Sequence, residues 1–551
     1  MDMNKPMAQT VDKNHPLLTR EAQYILTSWQ EFTEKQEKYK RQEMIAVSET
    51  FGFVAYMYEK LRSAVEYRGE HVLRRATIER TLKRIIWLPK TPAEIAELLI
   101  NELTWSRFLA NESLPKTQLA NLTKIVEKYQ YLIEYSHTQD IQPGEKVTWT
   151  DWIIGVASTE VEETISPSYL RTILAPLMFS WLKKHFVWDT QTISEEDQEI
   201  QLYIAAQRAL AKSDQPILRY HLLLLMLPNW NTANQDQWPE LVANLAQSAQ
   251  QVERMLGYSQ RNLVFRFVRR FTPVFIILYE ILIQSQNTQK VIHSPDALEK
   301  VTRQVTEDKY YKLQKQVSTA IVRSIVYLFI TKVLLALIIE LPYEIYLLKD
   351  VNVIPLLINL LTPPGLMLLI GLNVRVPGQD NTDRIVNQLR KLLYKSDEKT
   401  SPLIAQLTLT PRQKQLNQYF SVFYFILFAL LIYLLVMFLF QVVHYNIVGL
   451  LIFFMFMSLV LLFGYRVKWE SQELTVAKSG GGIFTHVVSI VTMPFISTGA
   501  WLSAGLAQIN IFMFFLDVII DAPLKALVSA VEEWSQFLRR KEAEVVEVPQ
   551  E

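Results

Sequence analysis

The sequence predicts an all-α fold: a polytopic helical membrane protein with a large N-terminal cytosolic helical domain. Several apolar runs of bilayer-spanning length lie between residues 319 and 525. Residues 16–318 instead carry most of the charged stretches, with helix-like apolar spacing and little strand-like alternation. Residues 1–30 lack the apolar core of a secretory signal. We therefore expect the amino-terminal half to stay in the cytosol and the later half to cross the membrane.

Composition excludes several function classes. The chain has 551 residues, no Cys and a formal net charge of +1. The missing Cys rules out disulfide scaffolds, thiolate zinc sites and cysteine nucleophiles. The balanced charge argues against a nucleic-acid partner. We find no Gly-x-Ser-x-Gly, His-Glu-x-x-His or Walker-type frame, so the sequence predicts no catalytic residue, metal or cofactor, and enzymatic function is not favoured.

The amino-terminal half divides into a disordered segment at 1–15 and a helical domain at 16–318, which forms one body or two subdomains. Thr91-Pro92-Ala93-Glu94 is typical of a capped helix start, and so is Ser194 followed by three carboxylates. A basic stretch is interspersed with Glu66, Glu70 and Glu79, which predicts a salt-bridged helix face, with lipid contact as the alternative. Its members are Arg62, Arg68, Arg74, Arg75, Arg80, Lys83, Arg84 and Lys90.

Part of this region carries a resemblance. Ala46-Val-Ser-Glu-Thr, Tyr58-Glu-Lys-Leu-Arg, His71-Val-Leu-Arg-Arg and Lys83-Arg84 together resemble uncharacterised multi-span membrane proteins of candidate-phyla bacteria. The resemblance covers only these segments, contains no chemical motif and implies no activity. It implies a bacterial inner-membrane protein.

A second basic stretch precedes the apolar segment Phe271 to Ile283. It contains Arg261, Arg266, Arg269 and Arg270, interleaved with apolar and aromatic residues. Such a stretch can lie on an anionic bilayer surface, so these four arginines are candidate membrane-surface contacts. A core helix with a solvated arginine face is the interpretation that we favour. The apolar segment is too short to count as a span.

Four spans are predicted, at about 321–341, 351–372, 420–443 and 447–465, and a hairpin of one or two crossings at 484–525. The connection 373–419 is rich in Lys and Arg, whereas 342–350 contains only Lys349 and 441–446 contains neither residue type. The positive-inside rule therefore places the first connection in the cytosol and the other two outside. Residues 526–551 form a predicted amphipathic cytosolic tail helix, so both termini are expected in the cytosol.

Intramembrane polarity gives the candidate site. Lys332 lies near the middle of the first span, where an ionised side chain costs at least about 2.5–3.5 kcal/mol. The second span contains Thr362-Pro363-Pro364-Gly365, which predicts a broken helix. If Thr362 caps a half-helix there, its positive end and Lys332 form a midplane site for an anion or carboxylate, to which Asn359 adds a neutral donor.

A structural interpretation competes with that site. Lys332 can pair with Asp517 or Asp521, which lie four residues apart on one helical face. Glu340 is expected to reach the interface from the end of the first span. The Pro-Pro segment is then only a kink. Independently, the third and fourth spans contain no charged residue within their apolar runs and are expected to face lipid. Lys332 sealed against a carboxylate would favour this interpretation, and a water-filled cavity touching Lys332 and Thr362 would favour transport.

The preferred hypothesis for function is a non-enzymatic integral membrane scaffold or adaptor, whose cytosolic domain and tail bind partners or the membrane surface. The alternative is a channel or transporter for a small anion or carboxylate. Expected partners are the lipid bilayer and other proteins or further copies of the chain. The expected location is the inner (cytoplasmic) membrane.

Overall fold

A computed structural model of the chain is mostly helical. It describes residues 17–47, 70–136, 148–188, 194–349, 353–395, 403–405, 411–476, 483–508 and 534. The predicted disordered segment at 1–15 and the predicted tail helix, apart from residue 534, lie outside these residues. So does the part of the predicted hairpin beyond residue 508.

The described residues form 18 α-helices and two short strands. Up to residue 256 the elements are α1 Arg20–Lys40, α2 Glu70–Ile85, α3 Pro92–Trp105, α4 Lys116–Ser136, α5 Trp149–Ile165, α6 Ala175–His185, β1 Phe186–Trp188, α7 Glu195–Leu210, α8 Gln215–Met226 and α9 Trp238–Leu256. Next come α10 Arg261–Val268, α11 Thr272–Gln284, α12 Thr288–His293, α13 Pro295–Leu335, α14 Val353–Asn373, α15 Gln379–Leu393, β2 Leu403–Ala405, α16 Pro411–Gln441, α17 Ile447–Ser471 and α18 Ile483–Gln508. Strands β1 and β2 pair in parallel.

Two compact units divide the chain. Of the described residues, the first contains those within 17–29, 177–198 and 262–508, and the second contains those within 30–176 and 199–261. The domain boundary predicted at residue 318 falls inside α13, which is continuous from Pro295 to Leu335.

The second unit is organised around α5. This helix is buried along almost its whole length, and it packs against α2, α4 and α8. The predicted capping signals are confirmed locally: the Thr91 hydroxyl accepts the Glu94 backbone N–H at 3.3 Å, and the Glu94 carboxylate accepts the Thr91 N–H at 2.8 Å. This reciprocal capping box begins α3 at Pro92 because it satisfies donors that the first turn leaves without helical partners.

The salt-bridged face predicted for the first basic stretch is confirmed for several described residues. Arg74 contacts Glu162 at 3.0 Å, and Lys83 contacts both Glu79 and Asp151. Arg75 also pairs with a carboxylate. Lipid contact there stays a prediction.

The first unit contains the apolar helices. Among the described residues, four helices are long and apolar enough to cross a membrane: Pro295–Leu348, Val353–Asn373, Tyr419–Gln441 and Ile447–Ser471. They match the four predicted spans in order, although the first extends well beyond its predicted limits. Helix α18 contains a shorter apolar stretch, Ile490–Ser503.

The packing of these helices corrects one expectation. Helix α16 is largely exposed, as a lipid-facing helix would be, but α17 packs against α13, α14 and α18. A Cβ on Gly499 would lie 2.3 Å from the backbone oxygen of Ser458, so only glycine permits this approach of α18 to α17. The expectation that the fourth span simply faces lipid is therefore wrong, since small residues let its backbone approach neighbouring helices.

The apolar segment after residue 271 forms α11. Its side chains Phe275, Ile277, Leu278 and Ile281 are buried, with at most 1% exposure. A core helix is therefore the correct interpretation of this segment.

Candidate functional site

The candidate site is a group of polar side chains enclosed by the first, second and fourth apolar helices. It comprises Lys332, Glu340 and Asn359. All three are buried, and Lys332 has no exposed surface at all. Charged side chains are almost never fully buried without a partner, so their contacts define what this site can do.

Lys332 is paired with a carboxylate. Its Nζ donates a hydrogen bond to Oε1 of Glu340, and it lies 5.1 Å from the ring centroid of Phe456 on α17. The carboxylate supplies the opposite charge, and the ring face adds a cation–π attraction in a setting from which water is excluded. The ammonium group is thus compensated entirely by protein.

The local helix geometry brings the pair together. Lys332 and Glu340 are eight residues apart, which in a regular α-helix of 3.6 residues per turn is about 2.2 turns and leaves the two side chains about 80° apart around the helix axis. A π-helical segment, Ala336–Glu340, follows α13. Its i→i+5 bonds put more residues into each turn, so the eight residues approach two whole turns and the side chains share a face.

Asn359 links the pair to the other two helices. From α14, its Nδ2 donates to Oε1 of Glu340 at 3.0 Å and to the carbonyl oxygen of Gly449, on α17, at 3.2 Å. Its Oδ1 is buried and has no hydrogen-bond partner among the described residues. One carboxylate oxygen therefore joins α13 and α14, and one amide group joins α14 and α17.

A second polar contact lies further along the same helices. Asn446 caps α17, since its Oδ1 accepts the Gly449 N–H at 2.6 Å, while its Nδ2 donates to Oε1 of Glu344 at 3.0 Å. Glu344 belongs to a further π-helical segment, Tyr343–Leu348. Because Gly449 offers its N–H to Asn446 and its carbonyl oxygen to Asn359, the first turn of α17 connects the two contacts.

The structure brings together two of the predicted site residues. Lys332 and Asn359 meet at Glu340, as described above. Thr362 is partly exposed, and its hydroxyl donates to the carbonyl oxygen of Ile358 at 2.6 Å within its own helix. Gly365 has open space where a Cβ would lie.

The predicted break in the second span is wrong. Helix α14 is continuous from Val353 to Asn373, with Pro363 and Pro364 buried inside it. Thr362 therefore does not cap a half-helix. Apolar helices tolerate internal proline when neighbouring helices and hydroxyl side chains compensate the backbone.

The structure gives Lys332 a partner that the sequence did not predict. Asp517 and Asp521 lie outside the described residues, and the structure pairs Lys332 with Glu340. Glu340 does not reach the interface, because only 3% of it is exposed. Sequence reasoning missed it because the first span was predicted to end at about residue 341, which placed Glu340 beside the interface. The available signal was its position inside an apolar helix that continues to Leu348.

The four arginines proposed as membrane-surface contacts have separate surroundings. Arg269 stacks on the indole of Trp469 at 3.7 Å and donates to its carbonyl oxygen at 2.9 Å. Arg270 lies 5.8 Å from the ring of Phe267, and Arg266 is bonded to a backbone oxygen of its own helix. Arg261 donates to the carbonyl oxygen of Leu256. Membrane contact by any of them stays a prediction.

The cluster offers a matched charge pair and one amide, which suits the binding of helices to one another better than catalysis. Within the described ranges, no group of three or more His, Cys, Asp or Glu side chains is arranged to hold a metal ion. No protein-family model, curated protein or solved structure matches the chain.

Proposed function

We propose that the protein is a non-enzymatic membrane scaffold, in which a fixed bundle of apolar helices holds a helical body that binds other proteins, further copies of the chain or the bilayer surface. The observation that carries this proposal is the complete burial of Lys332 against Glu340. A permeation site must exchange its ligand with water, and this ammonium group has no water-accessible surface.

The energetics support a fixed bundle. Removing one partner of a buried pair leaves an uncompensated charge and costs about 3–5 kcal/mol. Asn359 adds hydrogen bonds to a carboxylate and to a backbone oxygen on two further helices. A rearrangement that opens a pathway between these helices would have to break all of these contacts together, so the cluster favours one arrangement of the helices.

The proposed orientation follows from charge. Helix α15, in the connection between the second and third spans, carries Arg384, Arg390 and Lys391. The positive-inside rule assigns this helix to the cytosol, along with both termini, and assigns Lys349 to the outer side. We place the protein in a bacterial-type inner membrane, as a multi-pass chain.

The orientation can be tested in intact cells because the natural chain has no Cys. A single cysteine at Lys349 should react with an impermeant thiol reagent added outside, whereas one at Lys391 should react only after lysis. Both residues are exposed in the structure, so intrinsic accessibility is matched. The reverse pattern would overturn the orientation.

The scaffold itself is tested by flux. Vesicles that contain the purified protein should pass chloride and acetate no faster than empty vesicles. Lys332→Met should leave this flux unchanged. A saturable flux that Lys332→Met abolishes in a folded variant, while Lys315→Met leaves it intact, would reject the scaffold in favour of transport. Lys315 is the matched control because it is an exposed lysine on the same helix.

One observation favours the transporter as a second candidate. The Oδ1 atom of Asn359 is buried without a partner, and Pro363 cannot donate to the Asn359 carbonyl group. Acceptors without donors beside an ion pair can accept hydrogen bonds from a substrate. Proton flux that depends on Glu340, measured with a pH-sensitive dye inside the same vesicles, would select this alternative.

A further inference from the structure

Aromatic and cationic side chains meet at the carboxyl-terminal end of α17. The guanidinium group of Arg269 lies 3.7 Å from the ring centroid of Trp469 and donates to the Trp469 carbonyl oxygen at 2.9 Å. The Tyr465 ring stacks on the same indole, with 6.2 Å between the ring centroids. Arg466 lies about one turn before Trp469 on the helix, and Arg270 follows Arg269 directly in the chain. Three arginines and two aromatic rings therefore lie at one end of this helix.

In a chain inserted into the bilayer, this end lies at the depth of the lipid headgroups. The apolar run of the fourth span, residues 447–465, contains 19 residues, and at 1.5 Å per residue it is about 28 Å long. The hydrocarbon core of a bilayer is about 30 Å thick, and each headgroup layer adds about 5–8 Å. Arg466 and Trp469 are one and four residues past the run, which is about 1.5–6 Å along the helix. They therefore fall within the headgroup layer rather than in bulk water.

Several cations at this end have no ion-pair partner. Arg270, Arg466 and Lys468 are exposed, and no carboxylate forms an ion pair with any of them among the described residues. The carboxylates that follow on the chain, Glu470 and Glu473, lie farther from the apolar run than Arg466 does. The three cations therefore present positive charge to the headgroup layer that no protein carboxylate neutralises by direct contact.

Helix α14 adds a further cation at the same end. Gly464 on α17 faces the Ile370 side chain of α14, which would lie 2.8 Å from a Cβ at that glycine. Near the other ends of the same two helices, Asn359 donates to the carbonyl oxygen of Gly449. The two helices are therefore parallel, and their carboxyl-terminal ends are adjacent. Arg375, exposed two residues after α14 ends, lies at this end as well.

We propose that the carboxyl-terminal end of α17 binds the headgroup of an anionic phospholipid. Arg270 and Arg466 contact the phosphate, because guanidinium groups offer planar, forked donors that match phosphate oxygens. Arg269, stacked on Trp469, holds the turn that carries Arg270 against α17. The Tyr465 and Trp469 rings lie at the depth where aromatic side chains are enriched in membrane proteins. This inference rests on the membrane insertion proposed above, but not on the choice between scaffold and transporter.

The test measures lipid binding to the full chain, purified in detergent, by native mass spectrometry. Dioleoyl phosphatidylglycerol is the anionic probe. Dioleoyl phosphatidylcholine, which has the same acyl chains and no net charge, is its comparator. We expect phosphatidylglycerol to bind saturably and at least about tenfold more tightly than phosphatidylcholine, because each cation at a membrane surface favours an anionic lipid. Equal affinities for the two lipids would overturn the proposal.

A soluble phosphate distinguishes the source of the ligand. Glycerol 3-phosphate, added in excess over the bound phosphatidylglycerol, should not displace it, because the soluble compound lacks the acyl chains that bring the headgroup to this depth. Displacement would assign the site to a soluble phosphate and overturn the lipid assignment.

Substitutions locate the binding. Arg270→Gln and Arg466→Gln alter exposed positions, so the variants should fold. Each should weaken phosphatidylglycerol binding roughly fivefold, the effect of losing one cation at the membrane surface. Lys349→Asn removes an exposed cation beyond the other end of the apolar helices and should leave the affinity unchanged. Natural affinity in the Arg270→Gln/Arg466→Gln double variant, or an equal loss in Lys349→Asn, would overturn the proposal.

Failure of the headgroup site differs from failure of the membrane assignment. If alkaline carbonate releases the chain from membranes without detergent, the chain is not inserted and both proposals fail. If the chain resists carbonate but binds the two lipids equally, only the headgroup site is overturned. The flux measurement decides the scaffold separately.

Discussion

Both units bury charge, but they do so differently. In the apolar helices of the first unit, Lys332 and Glu340 form a buried ion pair joined by Asn359. In the second unit, the central helix α5 carries Glu160, Glu162 and Glu163, each paired with a lysine or an arginine outside that helix. The first unit therefore compensates its buried charge with an ion pair and one amide, whereas the second unit does so with several ion pairs along one helix.

Glu160 shows how the second unit compensates a buried carboxylate. Glu160 accepts hydrogen bonds from Lys128 at 2.7 Å, from the Tyr129 hydroxyl at 2.7 Å and from the Trp230 indole at 3.0 Å. Lys128 also lies 4.9 Å from the Trp230 ring. Burial lowers the pKa of Lys128 despite its pairing with Glu160. Several donors share this carboxylate, so the loss of one leaves others in place.

The largest expected effect comes from breaking the pair in the apolar helices. Glu340→Leu should lower the free energy of unfolding by about 3–5 kcal/mol, because it strands a buried ammonium group. The double variant Lys332→Met/Glu340→Leu should recover most of that loss. The free energy of unfolding of both variants is measured in mixed detergent micelles with a rising fraction of dodecyl sulfate. Equal losses in the single and double variants would contradict a coupled pair.

The second unit should respond less to the equivalent change. Lys128→Met removes one of three donors to Glu160, and we expect a loss of about 1.5–3 kcal/mol, typical of a hydrogen bond to a charged group. Hydrogen exchange of α5 amides reports the change locally. Lys124→Met, which alters an exposed lysine one turn earlier, serves as the control. A loss as large as that of Glu340→Leu would remove the distinction between the two units.

The sequence predicted the elements better than the contacts. Apolar runs of sufficient length located the four candidate spans, and Thr91 with Glu94 located the start of α3, because length and capping are local properties. The pairing of Lys332 with Glu340 was not predictable from 3.6-residue periodicity, since it depends on the π-helical segment. The continuity of α14 through Pro363 and Pro364 depends on neighbouring helices, which a single segment does not reveal.

Acid should destabilise the second unit. Burial alone would raise the pKa of Glu163, but pairing with His221 and Arg171 outweighs burial and lowers it below its ordinary value of 4.5. A depressed pKa stabilises the folded state above the unfolded value and loses that contribution as the pH falls through the folded value. Stability should therefore decline below about pH 4.5.

Tryptophan fluorescence during acid titration can measure this decline, because Trp152 and Trp230 are buried in the same unit. Glu163→Gln should make stability less dependent on pH in this range, since the variant has no carboxylate to protonate there. Glu195→Gln, at an exposed carboxylate on α7, should retain the natural profile. An unchanged pH profile for Glu163→Gln would contradict the attribution of this acid dependence to Glu163.

The smallest expected effect is at the helix cap. Thr91→Ala removes the side-chain acceptor of the capping box and should cost about 1 kcal/mol, whereas Thr91→Ser should cost little. Hydrogen exchange in the first turn of α3 measures the change. Equal protection in both variants would show that tertiary packing alone defines this helix start.

The exclusion of water from the cluster of Lys332, Glu340 and Asn359 is tested most directly by the chemical accessibility of a single cysteine introduced at Ala336. This residue is one turn from Lys332 and 5% exposed, and the natural chain has no other thiol. We expect Ala336→Cys, in protein reconstituted into vesicles, to resist a charged methanethiosulfonate reagent that rapidly modifies Lys124→Cys, and to react only after denaturation. Rapid modification of folded Ala336→Cys would reveal water beside the ion pair and contradict the scaffold.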